Sequence, residues 1–230
     1  MAASRDKRLS ESVRECFPGV YRVAGRVSIV GPVKANGCMY VVKDEGAVAL
    51  IDPIRLKSRD QAVVDAIGTP TDAIILGPNH ERDTAYYQER FGVRVWANGK
   101  LFTRIGIGVN TFYEPDDELP AGLVAYDMPG TFKGETVLHH PPNGGVLLVG
   151  DAIFNLQDED LNAGLKMVSP LGLVPKGPRT MPRFLMDDPA LAKESYRKLL
   201  ACEFEGILVS HGQPILSDAR TVLESLISSL

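Results

Sequence analysis

The residues best suited to chemistry lie together in the stretch Leu76-Gly77-Pro78-Asn79-His80-Glu81-Arg82-Asp83. An imidazole, a guanidinium and a carboxylate occur there close together, at His80, Arg82 and Asp83. Such groups can hold a metal ion, move a proton or bind an anion. A strand-like run at 72–76 precedes the stretch, and a helix-like run at 84–91 follows it. Because α/β proteins place functional groups at strand-to-helix turns, this stretch is predicted to form part of a site.

Two further polar residues follow apolar strand-like runs. Asp151 ends the run at 145–150, and His211 follows the run at 206–210. Polar residues at the ends of adjacent strands meet at one edge of a sheet, so both side chains are predicted to lie near the loop at 76–83. His139 and His140 are adjacent on another strand, and their side chains must face opposite ways. We do not expect that pair to share a metal ion.

The elements that position these residues follow from the spacing of apolar residues and turns. Runs between 20 and 53 predict a β-meander, and strand 72–76, helix 84–91 and strand 93–96 predict a β-α-β unit. Further strands are predicted at 123–128, 135–139, 145–151 and 206–210. Helices are predicted at 58–67, 188–200 and 219–230. Ser58-Arg59-Asp60-Gln61 has the form of a capping box at the start of the first, and Asp188-Pro189 is predicted to cap the second. This alternation indicates a layered α/β architecture.

The chain length and apolar content favour one domain. With 230 residues, 44% of them apolar, the chain can bury a full core, and a single domain is predicted at 19–230. Residues 1–18 are predicted to be an N-terminal arm, either loose or a short helix. The stretch 155–187 is rich in Pro, Gly and Met, and two interpretations are open. It is either a connector whose apolar residues fill the core or a lid or pocket wall over the site.

Composition limits the partners and the location. The net charge is −4, the pI is about 5.6 and no basic stripe is present, which argues against nucleic acid as a partner. No window approaches the roughly 20 apolar residues needed to cross a bilayer, and the first residues lack the apolar core of a secretory signal. The three cysteines show no Cys-x-x-Cys spacing and are predicted to be reduced core residues. We therefore expect a cytoplasmic protein with no membrane partner.

The loop at 76–83 resembles the metal-binding loop of the metallo-β-lactamase superfamily, whose pattern is His-x-His-x-Asp-His. Aligned on His80, the pattern falls on Pro78, His80, Arg82 and Asp83. Four other motifs are similar to those of the superfamily in the same order: Leu50-Ile51-Asp52-Pro53, Pro129-Gly130-Thr131-Phe132-Lys133-Gly134-Glu135-Thr136, Leu148-Val149-Gly150-Asp151 and Ser210-His211-Gly212. The resemblance implies an αββα sandwich, with two mixed sheets flanked by helices and a site along one open edge.

The resemblance also implies a site for two metal ions, which in that superfamily are zinc, iron or manganese and activate a hydroxide for hydrolysis. The residues at the first metal's histidine positions are Pro78, His80 and Thr131. The residues at the second metal's positions are Arg82, Asp83 and His211, with Asp151 as the bridge.

Counting ligands argues against a complete centre. Proline has no ligand atom and threonine is a poor substitute for imidazole, so the first position falls short of the three or four protein ligands that zinc normally has. Asp83, Asp151 and His211 form a sound set at the second position, but Arg82 brings a fixed positive charge that opposes a cation. We therefore predict an eroded motif, no tightly held cofactor, no dinuclear centre and weak or absent conventional hydrolase activity.

The alternative is a mononuclear Zn-, Fe- or Mn-dependent hydrolase of a small ester, lactone or thioester. Its metal ligands would be Asp83, Asp151 and His211, with His80 as a further donor. The predicted catalytic residues are His80, Asp83 and Asp151, and the predicted substrate-binding residues are Arg82 and Thr131. Arg82 is expected to fork onto Asp151 or Asp83, or to hold an anionic substrate.

A non-catalytic protein is the competing hypothesis. Such a protein would hold a small-molecule ligand in the cleft at the site edge or pair with a second copy of itself as a homo-oligomer. His80 and His211 then have purely structural roles, as a residue hydrogen-bonded at a helix start and as a histidine beside Gly212. The fold alone does not choose between these hypotheses, because function resides in the site.

Overall fold

The computed structural model describes residues 7–30, 33–44, 46–101, 106–160 and 176–230. Within them the larger sheet has eight strands in sequence order, antiparallel from β1 to β5 and parallel from β5 to β8. They are β1 Lys7–Arg8, β2 Val13–Phe17, β3 Val20–Val30, β4 Val33–Asp44, β5 Ala47–Ile51, β6 Asp72–Ile75, β7 Arg94–Asn98 and β8 Thr111–Tyr113.

The second sheet has five strands in the order β15-β12-β11-β10-β9, and the β12–β15 pair is parallel. They are β9 Glu118–Leu119, β10 Leu123–Asp127, β11 Thr136–His140, β12 Val146–Val149 and β15 Gly206–Val209. A separate antiparallel hairpin consists of β13 Ile153–Leu156 and β14 Gly177–Thr180. Short 3-10 turns lie at Gly99–Leu101, Pro120–Gly122, Pro142–Gly144, Asp158–Asp160 and Arg183–Leu185.

Helices cover the outer faces of both sheets. The α-helices in the described ranges are α1 Ser58–Ile67, α2 Thr84–Phe91, α3 Pro189–Leu199 and α4 Ala219–Ser229. Val64 of α1 and Tyr87 of α2 pack with the outward residues of the larger sheet, and Tyr196 of α3 and Leu223 of α4 pack with those of the smaller sheet. The architecture is therefore helix, sheet, sheet, helix, as predicted.

The alternation of side chains along β12 shows how one strand serves two layers. Val146 and Leu148 face the larger sheet, while Leu147 and Val149 face α3 and α4. All four are fully buried. This is why the run is apolar at every position, as a strand covered on both faces must be.

Several local predictions need correction. The described part of the predicted arm, 7–17, is neither loose nor helical but forms β1 and β2, because Val13, Cys16 and Phe17 bury their side chains in the sheet cores. The predicted meander begins with one long strand, β3, over Val20–Val30. Helix α1 is capped at Lys57 without a side-chain hydrogen bond, so the capping-box interpretation of Ser58 is wrong.

Two other predictions concern the second half of the chain. Asp188 is the N-cap of α3, and its carboxylate accepts hydrogen bonds from the amides of Ala190 and Leu191, as predicted. The segment 155–187 lies partly outside the described residues, at 161–175, and its described ends belong to β13 and β14. Its role as a lid stays a prediction. In the described ranges, no helix has the length and apolar character required to cross a membrane.

Candidate metal centre

The ends of three strands bring the site together. His80 follows β6 in the larger sheet, while Asp151 follows β12 and His211 follows β15 in the smaller one. His80 Nε2 lies 3.3 Å from Asp151 Oδ1, and His211 Nε2 lies 3.2 Å from the same oxygen. One ligand atom from each of the three residues lies within 4.8 Å of the others. The two sheets therefore contribute to one cluster, which we call the metal cluster.

Asp52 holds His80 from the opposite side of its ring. The Asp52 carboxylate is hydrogen-bonded to His80 Nδ1, and both side chains are almost fully buried. The same carboxylate accepts hydrogen bonds from the Leu76 amide at 2.9 Å and from the Ser210 hydroxyl at 3.2 Å. A carboxylate on the far nitrogen of a histidine fixes the ring and its tautomer, so Nε2 is aimed at the metal cluster.

At His80 and Asp151, neighbouring charges shift the pKa in the direction opposite to burial. Burial alone lowers the pKa of His80, but the carboxylates of Asp52 and Asp151 outweigh it and raise that pKa to about 10. Burial raises the pKa of Asp151, yet the positive charge of His80 and the hydrogen bonds from both histidines hold it well below its usual range. His211 behaves differently, because burial and the charge of Arg82 lower its pKa despite Asp151. Without a metal ion, these shifts favour a positively charged His80 beside a negatively charged Asp151.

Glu135 lies beneath the cluster and is fully buried. Its Oε1 accepts hydrogen bonds from the amides of Asp151 at 2.7 Å and Ala152 at 3.2 Å, while its Oε2 is buried and has no hydrogen-bond partner among the described residues. Burial and the nearby charge of Asp151 raise the pKa of Glu135 to about 8. At neutral pH this carboxyl group is therefore mainly protonated.

The solved structures that resemble the chain share its architecture along nearly its whole length. The TMB-1 structure is 16% identical over 94% of this chain and 96% of that chain, with a TM-score of 0.67. A metallo-β-lactamase from Erythrobacter litoralis is 15% identical over 98% and 100%, with a TM-score of 0.65. TTHA1623, in a di-iron-bound form, is 16% identical over 90% and 100%, with a TM-score of 0.60.

The chain has the metallo-β-lactamase fold. Identities this low show the fold and nothing finer. No family model and no curated protein sequence matches the chain. The activity must therefore be argued from the residues at the site.

Arg82 lies beside the metal cluster but does not fork onto a carboxylate as predicted. Its Nη1 donates to the carbonyl oxygens of Cys38 at 2.8 Å and Asp52 at 3.2 Å. Its Nη2 is buried, and no described residue accepts a hydrogen bond from it. Its charge contributes to the lowered pKa values of Asp52 and His211, and it works against the raised pKa of His80. The backbone of Arg82 has a φ of 44°, in the left-handed region that non-glycine residues rarely adopt. The guanidinium adds positive charge to the edge of the cluster.

Asp83 and Thr131 occupy superfamily ligand positions, but the structure directs both side chains elsewhere. Asp83 is exposed at the N-cap of α2, and its Oδ2 accepts a hydrogen bond from the Arg55 amide at 2.7 Å. Thr131 is fully buried, and its hydroxyl donates to the Met128 carbonyl oxygen at 2.6 Å. Among the described residues, the donor set at this edge is therefore His80, Asp151 and His211, without Asp83.

This donor set fits one divalent ion. Two ligand atoms that each lie about 2.1 Å from a zinc ion at the tetrahedral angle are about 3.4 Å apart. The 3.3 Å and 3.2 Å separations around Asp151 Oδ1 match that spacing. Two imidazoles and one carboxylate suit zinc and iron, and the contact with Asp52 supplies the outer support that metal-binding histidines usually have.

Asp52 and Glu135 were not predicted as site residues. Asp52 ends the apolar run of β5, and a polar residue at the end of a covered strand was the signal that identified Asp151. Glu135 stands at the end of the turn at 129–134, immediately before β11. Nothing in the sequence indicates that its carboxyl group points into the protein.

Proposed function

We propose that this protein is a mononuclear metal-dependent hydrolase of a small ester, lactone or thioester. The ion is zinc, iron or manganese, and its protein ligands are His80, Asp151 and His211. The observation that carries the proposal is the spacing of three ligand atoms within 4.8 Å around an Asp52-supported His80. The di-iron form of TTHA1623 offers further support, because a protein with this fold holds metal ions.

The protein groups have separate tasks in this proposal. Asp52 fixes the orientation of His80, and Asp151 is the anionic ligand that offsets the charge of a bound cation. When bound, a divalent ion polarises the substrate carbonyl and makes water a stronger nucleophile at neutral pH. Arg82 has one buried guanidinium nitrogen without a hydrogen-bond partner within the described ranges, and it supplies positive charge where negative charge develops during ester cleavage.

A single ion, not two, is proposed because the remaining superfamily positions offer no donors to a second one. Pro78 has no ligand atom, and the side chains of Asp83 and Thr131 are engaged away from the cluster. Arg82 places a cation where the superfamily motif has a carboxylate. In this proposal the motif has lost one of the two metal positions of the superfamily.

A metal-free binding protein is the second candidate, and one observation favours it. With both ring nitrogens protonated, His80 carries a positive charge between the carboxylates of Asp52, at Nδ1, and Asp151, at Nε2. The buried negative charges are then compensated without any ion. Arg82 adds a second positive charge beside this pair. In such a protein the edge cleft would bind a small molecule without hydrolysing it.

The test is hydrolysis by protein stripped with a chelator and then supplied with one equivalent of Zn²⁺, Fe²⁺ or Mn²⁺. An aryl acetate, a γ-lactone and an acyl thioester represent the three substrate classes. Turnover of at least one class should require metal and fall about 10- to 100-fold or more in Asp151→Asn. Asp65→Asn, on α1 and distant from the cluster in the fold, is the matched control. Metal-loaded protein that hydrolyses none of the three classes would favour the binding protein.

A further inference from the structure

Glu135 is the least expected group near the metal cluster, because it is an acidic side chain with no exposed surface. A buried carboxyl group costs free energy unless its oxygens find partners. One oxygen, Oε1, has two partners, the consecutive amides of Asp151 and Ala152. The other, Oε2, has no hydrogen-bond partner in the part of the chain that the structure describes. A group that is this costly and only half satisfied requires an explanation beyond packing.

The backbone around Glu135 leaves just enough space for it. A Cβ atom at Gly77 would lie 2.3 Å from Glu135 Oε2, and a Cβ atom at Gly150 would lie 2.7 Å from Oε1. Gly77 begins the loop that carries His80, and Gly150 immediately precedes Asp151. The carboxyl group therefore lies between the two loops that supply ligands from different sheets. No side chain larger than hydrogen fits at either glycine without a shift.

We propose that Glu135 is the positioning residue of the metal cluster. Its side chain fixes the Asp151 loop by accepting the two successive amides and sets the spacing between that loop and the His80 loop. It contributes no ligand atom, since Glu135 is not part of the group whose donor atoms lie within 4.8 Å. The inference adds an unassigned residue to the proposed metal site, but the contacts on which it rests exist whether or not an ion is bound.

The role predicts a clear difference between two substitutions. Glu135→Gln keeps an oxygen that can accept both amides and keeps the volume of the side chain. Glu135→Ala removes the acceptor and leaves two buried amide groups without a partner. Ligand-supporting residues of this kind typically change metal affinity by about 10- to 100-fold when removed. The alanine variant should bind Zn²⁺ about 10- to 100-fold more weakly, and the glutamine variant should stay within about threefold of the wild type.

Hydrogen exchange of the metal-free protein provides a readout that needs no ion. The amides of Asp151 and Ala152 should be protected in the wild type and in Glu135→Gln, and should exchange at least about tenfold faster in Glu135→Ala. The amide of Ile207, in neighbouring β15, donates to the Ile215 carbonyl oxygen at 2.9 Å. It should keep its protection in all three proteins, which would show that the alanine variant is folded. If Glu135→Ala does not fold, Glu135→Ser, which is also too short to reach both amides, replaces it in the same comparison.

The outcomes separate this inference from the proposed function. Unchanged exchange at Asp151 and Ala152 in the short variant would overturn the positioning role, as would a glutamine variant that exchanges as fast as the alanine variant. Wild-type protein that binds no Zn²⁺ would defeat the proposed function, and the exchange measurement would still decide the role of Glu135. The inference is supported if the amides of Asp151 and Ala152 exchange fast only in Glu135→Ala or Glu135→Ser and stay protected in Glu135→Gln.

Discussion

Arg82 and Asp52 act on His80 with opposite electrostatic effects. Asp52 contacts Nδ1 and favours the positive charge on the ring, whereas the guanidinium of Arg82 opposes it. The same two residues must influence a metal ion in the same directions, because a cation replaces a proton at this position. The affinity of the proposed site for metal should therefore depend also on two residues that would not ligate the ion.

Replacing Arg82 tests this statement directly. Arg82→Met removes the charge and should raise Zn²⁺ affinity by about tenfold or more, because a unit charge near a partly buried ion is worth a few kcal/mol at an effective dielectric constant of about 20. Competition with a chromophoric chelator measures the dissociation constant. Arg82→Lys keeps the charge and is the matched control. Equal affinities in Met and Lys variants would mean that the guanidinium charge does not limit metal binding.

Removing the charge of Asp52 should have the opposite effect. Asp52→Asn keeps the size of the side chain, and asparagine tolerates the left-handed backbone of this position, where φ is 51°. The variant should bind Zn²⁺ about 10- to 100-fold more weakly, because the charged support of the histidine is lost. The same chelator competition provides the measurement, with Asp60→Asn, on α1, as a control. An affinity within twofold of the wild type would contradict the role of Asp52.

The meeting of His80, Asp151 and His211 at one edge was predicted, because Asp151 and His211 each follow a predicted strand and His80 lies in the loop after the strand predicted at 72–76. Asp83 shows the limit of this reasoning. As the N-cap residue of α2 it lies in the predicted loop, but its carboxylate turns to the Arg55 amide. Sequence spacing gives the place of a residue along the chain and not the direction of its side chain.

At the scale of elements, the turn at 129–134 joins the site to helix α3. Gly130 has a φ of 89°, and a Cβ atom there would lie 2.2 Å from the Ala192 amide nitrogen. The Ser195 hydroxyl of α3 donates to the Pro129 carbonyl oxygen at 2.7 Å. Because Glu135 ends this turn, the placement of α3 supports the residue beneath the cluster.

The start of α3 is held by its N-cap. Asp188→Ala should reduce the free energy of unfolding by about 1 kcal/mol, since two amides lose their acceptor. Urea denaturation monitored by circular dichroism measures the change. Asp187→Ala removes an exposed carboxylate one residue earlier and should change the stability by less than about 0.5 kcal/mol. A loss of the same size in both variants would show that capping is not the cause.

His139, on β11, should make the free energy of unfolding depend on pH. Its Nε2 lies 2.9 Å from the Glu203 carbonyl oxygen, and burial lowers the pKa of His139 below its usual value despite that hydrogen bond. The unfolded chain then binds a proton at a higher pH than the native protein, so stability is retained above about pH 6.5 and declines as the pH falls further. His139→Gln should show a smaller loss between pH 7.5 and 5.5 in urea denaturation of metal-free protein. An unchanged pH dependence would exclude His139 as a source.

The adjacent histidines also show how much of an element the sequence predicts. Side chains of His139 and His140 were expected to face opposite ways, and they contact Glu203 and Asp44, respectively, on different parts of the chain. The strand period determines this result. The incorporation of 7–17 into the larger sheet was not predicted, because this stretch is rich in charged residues and its few buried apolar side chains form no recognisable strand pattern.

At the scale of the whole molecule, the two sheets are the reason that the cluster has a fixed geometry. Cys38 and Tyr40 of β4 both donate to the Val209 carbonyl oxygen of β15, and the Cys38 amide donates to the Ser210 carbonyl oxygen at 3.0 Å. These bonds tie the larger sheet to the strand that precedes His211. The order of motifs made this architecture predictable, whereas the contacts between the sheets depend on side-chain directions that the sequence does not specify.

The proposed hydrolase depends on one metal position, formed by His80, Asp151 and His211. Metal content per chain, measured by mass spectrometry after stripped protein is equilibrated with excess Zn²⁺ and desalted, tests it most directly. We expect close to one equivalent in the wild type, with a higher melting temperature than the stripped protein because only the folded state binds the ion. We expect less than about 0.1 equivalent in His211→Ala and full retention of the metal in His140→Ala, which changes a histidine outside the cluster. Two equivalents in the wild type, or none together with an unchanged melting temperature, would contradict the proposal.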